Sequence, residues 1–366
     1  MVATASRAIR LLVVDDSAYN RRLISEIFTG STEIEVVGKA ADGEEALRLV
    51  TLLKPDLITL DLEMPRMDGF TFLRILMSRQ PTPVIVVSSY AQKENVFKAL
   101  ELGALDFVTK ADRQISPDNV ELKEQILSKV MLVRSLKRSA LVPPPTRARQ
   151  VSAAFTADGR PLPIDASPLP AKLVKPKSLV AFASSTGGPT ALLDIFAKIP
   201  TTSNAAFVIA QHMPDKFTRT FAERIDRKSH VRTAEAQDGD KLGALCGVVC
   251  PGRQCMEVVA QNGELKVRIA SPVSTDRYVP SGDRLLKSAA VAAAAVGIKC
   301  IGVVLTGMGD DGVEGARAIF AGGGIVIAES QETAVVFGMP GSAVRANVVT
   351  RVLPLPQIAD FLAQIT

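Results

Sequence analysis

Apolar residues in this chain fall into short continuous runs, separated by stretches in which they recur at helical spacing. Ile9 to Val14 reads as a strand, and Leu23, Ile24, Ile27 and Phe28 lie on one face of the helix after it. Ile34 to Ala40, Leu57 to Leu60, Val84 to Val87 and Ala104 to Thr109 read as four more strands. Further helix faces are marked by Ala46, Leu47, Val50 and Leu53, by Val96, Ala99, Leu100 and Gly103, and by Leu122, Ile126, Val130 and Val133. Strands alternating with helices predict a doubly wound parallel sheet over residues 9–130.

The pattern stops at about Leu141. Pro143 to Pro145, Pro161, Pro163, Pro168, Pro170 and Pro176 forbid helix and resist sheet, so residues 131–176 read as an extended linker. Alternation resumes after Lys177, giving a second domain over 177–366. Strands are predicted at Leu179 to Ala183, Phe207 to Ala210, Val231 to Ala236, Gly247 to Cys250, Ile301 to Leu305 and Gly324 to Ala328. Met256 to Ala260 and Leu265 to Ala270 flank Asn262-Gly263, a hairpin signal. The second domain is therefore a mainly parallel, doubly wound α/β unit with a β-hairpin insertion.

Composition removes several alternatives. The 366 residues are 47% hydrophobic and 22% charged, ordinary for globular domains. No apolar run approaches the ~20 residues that cross a bilayer. The longest, Ala289 to Ile298, is alanine-rich and reads as a packed helix. Arg7 and Arg10 precede only Leu11 to Val14 before Asp15 and Asp16, which is a strand rather than a signal peptide. A cytoplasmic protein without membrane insertion is expected. The net charge of +5 sits in the linker: Lys129 to Lys177 holds ten Lys or Arg against two Asp or Glu, leaving the remainder acidic. With no organised basic face, nucleic-acid binding is not expected. Cys246, Cys250 and Cys255 match no zinc spacing and read as small core residues.

Three strand ends in the first domain carry chemistry. Asp15 and Asp16 end the first strand, Asp61 the third and Lys110 the fifth, and parallel strands bring these ends to one edge. Clustered carboxylates call for a cation, and their hard oxygens suit Mg²⁺. Lys110 can pair with an added phosphoryl group, and Ser88 offers a hydroxyl at the same edge. Residues 9–130 resemble a response-regulator receiver domain of flavodoxin-like topology. The resemblance implies that Asp61 accepts a phosphoryl group from a chemotaxis-type histidine kinase. It also implies that Asp16 and Asp61 bind Mg²⁺ through side chains, that Asp15 assists, and that Glu63 contributes a backbone carbonyl. Ser88 and Phe107 match the family's hydroxyl and aromatic switch positions. Ala111 departs from the proline common after the lysine.

In the second domain, the run Leu179 to Ala183 breaks at Ser184-Ser185-Thr186-Gly187-Gly188 before a helical pattern begins. A serine here either caps the helix or presents a nucleophile at the sheet edge. Of the two histidines, His230 sits in a charged helix end, while His212 follows a buried strand. His212 is either a core histidine or a base. Asp311 follows another strand in Thr306-Gly307-Met308-Gly309-Asp310-Asp311-Gly312 and, with Glu314, could equally cap a helix. Together the three supply a nucleophile, a base and an orienting acid.

Ala183 to Gly188, Gln211-His212-Met213-Pro214, Thr306 to Gly312 and Val336-Phe337-Gly338-Met339-Pro340 resemble the catalytic domain of chemotaxis protein-glutamate methylesterases, the CheB family. The resemblance implies Ser185 as nucleophile, His212 as base and Asp311 as acid, with Thr186 and the Met308 backbone supporting the site. It implies demethylation of glutamyl methyl esters on methyl-accepting chemoreceptors, with glutamine deamidation as a second activity and no cofactor for the esterase step. It further implies a monomer whose unphosphorylated receiver covers the catalytic face. Cys250 to Cys255 lacks a histidine often found at its end, and Val279 to Asp283 lacks an arginine common before the proline. Both departures are expected to lie clear of the triad. The rival from another class is a non-catalytic phosphorylation-dependent binding module or phosphate sink.

Overall fold

Apolar runs without polar alternation belong in the middle of parallel sheets, covered by helices on both sides, and both halves of the chain are built this way. The computed structural model describes residues 7–89, 93–110, 120–135 and 173–365. Contacts divide the chain into two compact units between Pro145 and Thr146. Most of the predicted linker, and Ala111, lie outside the described residues.

In the first unit the strands are β1 (Ile9–Val14), β2 (Ile34–Ala40), β3 (Leu57–Leu60), β4 (Val84–Ser89) and β5 (Asp106–Lys110). They form one sheet in the order β2-β1-β3-β4-β5, every pair parallel. The helices are α1 (Ala18–Ile27), α2 (Gly43–Leu53), α3 (Gly69–Arg79), α4 (Lys93–Glu101) and α5 (Val120–Met131). Ser17, Asp42 and Asp68 cap the first three through their side chains. Phe72, Leu73, Leu76 and Met77 form the buried face of α3 at helical spacing. Leu11, Val13, Ile24, Leu57, Ile85, Val108 and Ile126 share one core on one side of the sheet.

The second unit runs β6 (Ser178–Ser184), α6 (Gly188–Phe196), β7 (Ala205–Gln211), α7 (Asp215–Lys228), β8 (Arg232–Glu235), β9 (Lys241–Leu242), β10 (Cys246–Val249), β11 (Cys255–Gln261) and β12 (Glu264–Ala270). It continues through α8 (Gly282–Val296), β13 (Lys299–Val304), α9 (Val313–Ala321), β14 (Ile325–Glu329), α10 (Met339–Arg345), β15 (Arg351–Leu353) and α11 (Leu355–Ile365). Seven strands form a parallel sheet in the order β15-β14-β13-β6-β7-β10-β8. The predicted hairpin is present: Asn262 (φ 54) and Gly263 (φ 76) close β11 onto β12 with two left-handed residues. A third strand, β9, pairs with β12, and β15 extends the main sheet. Both are too short to leave an apolar period. The alanine-rich run forms α8, capped by Ser281 and ended by Gly297, and packs against β6, β11 and α9.

In each unit the first strand has neighbours on both sides, so the chain reverses direction across the sheet there. The crevice at the carboxyl ends of such strands is where open α/β sheets hold ligands. Beneath it in the second unit, Phe196 of α6 packs against Phe182 at 5.6 Å and Phe207 at 5.3 Å between ring centroids. Truncating Phe196 to Ala should cost about 3–5 kcal/mol. In a thermal scan of the full chain, F196A should lower the unfolding transition of the second unit and leave that of the first in place.

Candidate active site

The strand β6 is buried along its length and ends on two serines with different environments. Ser184 is 0% exposed, and its hydroxyl donates to Oε1 of Gln211 at 2.7 Å. Ser185 is partly exposed, and its hydroxyl makes no hydrogen bond to another described residue. Neither serine caps the helix. Gly187 (φ 80) precedes α6, and no side chain caps that helix. The turn is held instead by the neighbouring strand. Nε2 of Gln211 donates to the carbonyls of Ser185 at 2.9 Å and His212 at 3.1 Å. The N–H of Ser185 donates to the Thr306 carbonyl at 3.0 Å, and that of His212 to the Ser184 carbonyl at 3.0 Å. Glycine at 188 makes this possible, because a Cβ there would lie 2.1 Å from Oε1 of Gln211.

His212 follows β7 directly, and its Nε2 lies 2.7 Å from Oδ2 of Asp311. A carboxylate only accepts, so Nε2 carries the hydrogen, which in the neutral ring leaves the lone pair on Nδ1. Asp311 is 1% exposed and does not cap its own helix, since α9 begins after Gly312 without a side-chain cap. It meets the start of α8 instead. Oδ2 accepts the Gly282 N–H at 2.7 Å, and Oδ1 accepts those of Asp283 at 2.9 Å and Gly312 at 3.0 Å. Gly282 and Asp283 open α8, where N–H groups lack partners within the helix and the helix dipole favours negative charge.

Tyr278 lies flat on the imidazole, with ring centroids 5.3 Å apart and planes 9° from parallel. Its hydroxyl donates to Oδ1 of Asp310 at 3.0 Å, and Arg277 pairs with Oδ2 at 3.0 Å. Burial raises the phenol's pKa and the Asp310 carboxylate adds to the rise, so Tyr278 remains a donor. The segment Val279 to Asp283 was expected to lie clear of the triad positions, and the structure corrects this. Its backbone grips Asp311, and the residue before it stacks on His212.

Of the two supporting positions, Thr186 is buried, and its carbonyl accepts the Thr306 hydroxyl at 2.8 Å. Met308 is 45% exposed, and its N–H has no acceptor among the described residues. His230 is exposed beyond α7. All four cysteines are buried, and burial pushes their thiols upward, that of Cys300 to about 12. Gln211, Tyr278 and Thr306 support the site although the sequence pattern alone assigns them no role. A polar residue closing a wholly apolar strand was the available signal for Gln211.

The first unit gathers its acids as the strand pattern predicts. Carboxylate oxygens of Asp15, Asp16 and Asp61 lie within 4.8 Å of one another. Lys110 is buried and donates to Oδ2 of Asp61 at 2.8 Å and Oδ2 of Asp15 at 3.2 Å. Burial works against its ammonium, but Asp61 and Asp15 outweigh it and raise the lysine's pKa. Asp15 is raised by burial first, with Lys110 opposing and Asp61 adding. Ser17 donates its N–H to Oδ1 of Asp15 at 2.9 Å, and Asn20 its amide at 3.2 Å. This all-oxygen set fits a hard divalent cation such as Mg²⁺. Glu63 is exposed, with its N–H 3.5 Å from Oδ1 of Asp61. Ser88 is buried at the end of β4 beside Thr109, and Phe107 packs edge-on against Phe97 at 6.5 Å.

Fold and sites define a two-domain response regulator with a second α/β domain. The Response regulator receiver domain profile matches residues 11–117, and the CheB methylesterase profile matches residues 180–362. The chain is 44% identical to protein-glutamate methylesterase/protein-glutamine glutaminase 3 of Geobacter sulfurreducens, over 98% of this chain and 97% of that one. It is 42% identical to protein-glutamate methylesterase/protein-glutamine glutaminase 1 of Myxococcus xanthus, over 97% of this chain and 96% of that one. The crystal structure of the Thermotoga maritima CheB methylesterase catalytic domain is 37% identical, covering 53% of this chain and 100% of that one, with a TM-score of 0.49. The chain belongs to the CheB methylesterase family. Among the described residues, no helix is long and apolar enough to cross a membrane.

Replacing Gln211 with Ala strands the Ser184 hydroxyl and the His212 carbonyl in a buried turn, while the Ser185 carbonyl keeps the Gly188 N–H at 2.8 Å. Q211A should destabilise the second unit by about 1–3 kcal/mol, read as a lower urea midpoint for its transition at unchanged slope.

Proposed function

We propose that the chain is a phosphorylation-regulated hydrolase that removes methyl esters from glutamates on chemoreceptor cytoplasmic domains and deamidates glutamines there. The observation that carries this reading is the 2.7 Å contact of His212 with a buried Asp311, one strand away from the half-open Ser185. Ser185 Oγ attacks the γ-carbonyl carbon of the glutamyl ester. Nδ1 of His212 takes the hydroxyl proton, because Nε2 is committed to Asp311. Asp311 keeps the ring in that tautomer and balances the imidazolium. The unpaired Met308 N–H is a donor for the oxyanion, and one such donor is typically worth ~10²–10³ in rate. The imidazolium returns its proton to the leaving oxygen, and methanol departs. Water then adds to the acyl-enzyme with His212 as base again, releasing glutamate and free Ser185. A glutamine follows the same course with ammonia as the leaving group.

The receiver supplies control. Asp61 takes a phosphoryl group from a chemotaxis-type histidine kinase. Asp16 and Asp61, with the Glu63 carbonyl and help from Asp15, would hold Mg²⁺, whose charge would offset that of the phosphoryl oxygens. Lys110 is already paired with Asp61 and turns to the new phosphate. Ser88 and Phe107 respond to it. Phosphorylation shifts an inhibited population towards an active one. Kinase and receptor tails place the reaction in the cytoplasm.

Two measurements test this. With methylated receptor and a phosphodonor, S185A should lose methanol release by roughly a thousandfold or more, while S184A retains most of it; the reverse order would exchange the two serines. The fragment starting at Lys177 should release methanol faster than the intact, unphosphorylated chain, and D61N should hold the intact chain at its low rate whatever phosphodonor is added. Equal rates for fragment and intact chain would remove the inhibition.

A further inference from the structure

A buried carboxyl group with no cation beside it is unfavourable, so its hydrogen bonds are where its purpose shows. Glu329 ends β14 and is 1% exposed, and no ion pair among the described residues reaches it. Oε2 accepts the Thr306 N–H at 2.9 Å, and Oε1 accepts the Thr333 hydroxyl at 2.9 Å. Thr306 lies just past β13 and is the point where three segments meet. Its carbonyl accepts the Ser185 N–H at 3.0 Å. Its hydroxyl donates to the Thr186 carbonyl at 2.8 Å and accepts the Val336 N–H at 2.9 Å. From Thr306 the chain runs through Met308 to Asp311. The mechanism above uses neither Glu329 nor Thr306.

We propose that Glu329 is a positioning residue for the esterase reaction: by anchoring Thr306 it fixes the turn that carries Ser185 against the loop that carries Met308 and Asp311. This rests on Ser185 being the nucleophile. An apolar side chain at 329 leaves a buried N–H without an acceptor, so the β13 end shifts towards another one. Shifts of about 1 Å in positioning groups cost up to about a hundredfold in rate. Glutamine preserves the contacts, because its carbonyl accepts from Thr306 and its amide donates to Thr333, whose Oγ1 also accepts the Leu355 N–H at 2.9 Å.

Protonation gives an independent readout. Burial lifts the Glu329 carboxyl to about 7, with the Thr306 and Thr333 hydrogen bonds pulling the other way. The charged residues on the packed elements are Lys299 of β13, Arg351 of β15, Glu314 and Arg317 of α9, Arg345 of α10 and Asp360 of α11, and none bonds to it. Glu332 of the adjoining loop is exposed. Because the folded value lies above the unfolded 4.5, the folded chain keeps a proton that the unfolded chain loses. Stability therefore falls as pH rises through that window and levels off above it.

The experiment compares full-length wild type, E329Q, E329L, E329D and S185A with Mg²⁺, phosphodonor and methylated receptor, measuring methanol release. Circular dichroism and phosphorylation at Asp61 check folding. E329L should lower kcat about tenfold or more with KM within about twofold, and E329Q should stay within about threefold of wild type. E329D keeps the carboxyl group but is one methylene short, so it should lose kcat while staying folded. Between about pH 5 and about pH 8, the thermal midpoint of E329Q should gain on that of wild type. A folded E329L with wild-type kcat, or E329Q as impaired as E329L, overturns the proposal. If E329L does not fold, E329D decides: wild-type kcat there overturns it. Wild type without methanol release, or an active S185A, overturns the underlying serine reading instead.

Discussion

The meeting of the Asp311 carboxylate with the first turn of α8 is the contact on which the second site depends. A carboxylate at this depth has to be satisfied from every side. Two N–H groups from α8, one from Gly312 and the His212 ring do this. The helix start therefore fixes the acid, the acid fixes the imidazole, and only the serine hydroxyl is left open. Replacing this arrangement with a solvated aspartate would leave the imidazole free to rotate. That freedom is what Tyr278, lying against the ring's face, also restricts.

The receiver solves the same problem with the opposite ingredients. Its buried acids are balanced by a lysine rather than by backbone dipoles, and Lys110 sits in contact with both Asp15 and Asp61. A mobile ammonium can turn towards an incoming phosphate, whereas a helix N-terminus cannot move. The contrast suits the two tasks. Under the proposed function Asp61 changes its charge and partners during a signalling cycle, while Asp311 holds still as a proton passes beside it.

The sheets and the strand-end chemistry were legible because parallel strands buried on both faces leave unbroken apolar runs, and their carboxyl ends are marked by the first polar residues. Asp61 stands at such a break, Ser185 and His212 one residue past theirs, and Asp311 in the loop that follows the break at Thr306. The same signal marks Glu329 after Ile325 to Ala328, but no neighbouring residue in the sequence gives it a chemical role. Tyr278 left no trace, because it lies in an irregular stretch between β12 and α8 where no period points to a ring stack. Asp311 was legible as an acid but not by its partners. Its spacing to Glu314 suggested its own helix, and only the fold brings α8, some thirty residues earlier in the chain, to meet it. The short strands β9 and β15 escaped because two or three residues cannot establish alternation.

The order serine, histidine, aspartate along the chain follows from the sheet itself. β6 is laid down first and becomes central, β7 pairs on one side of it, and β13 pairs on the other after a long excursion through β8 to β12 and α8. The residue after the central strand lies between both neighbours, so that position suits the nucleophile of the proposed mechanism, which has to meet base and oxyanion donor together. The base then arrives with the next strand. The acid must come from the far side, because α8, whose first turn holds it, is built only just before β13. The excursion that places the triad's last member thus also supplies its support, and Thr306, where β13 ends, ties both flanks of the central turn into one piece.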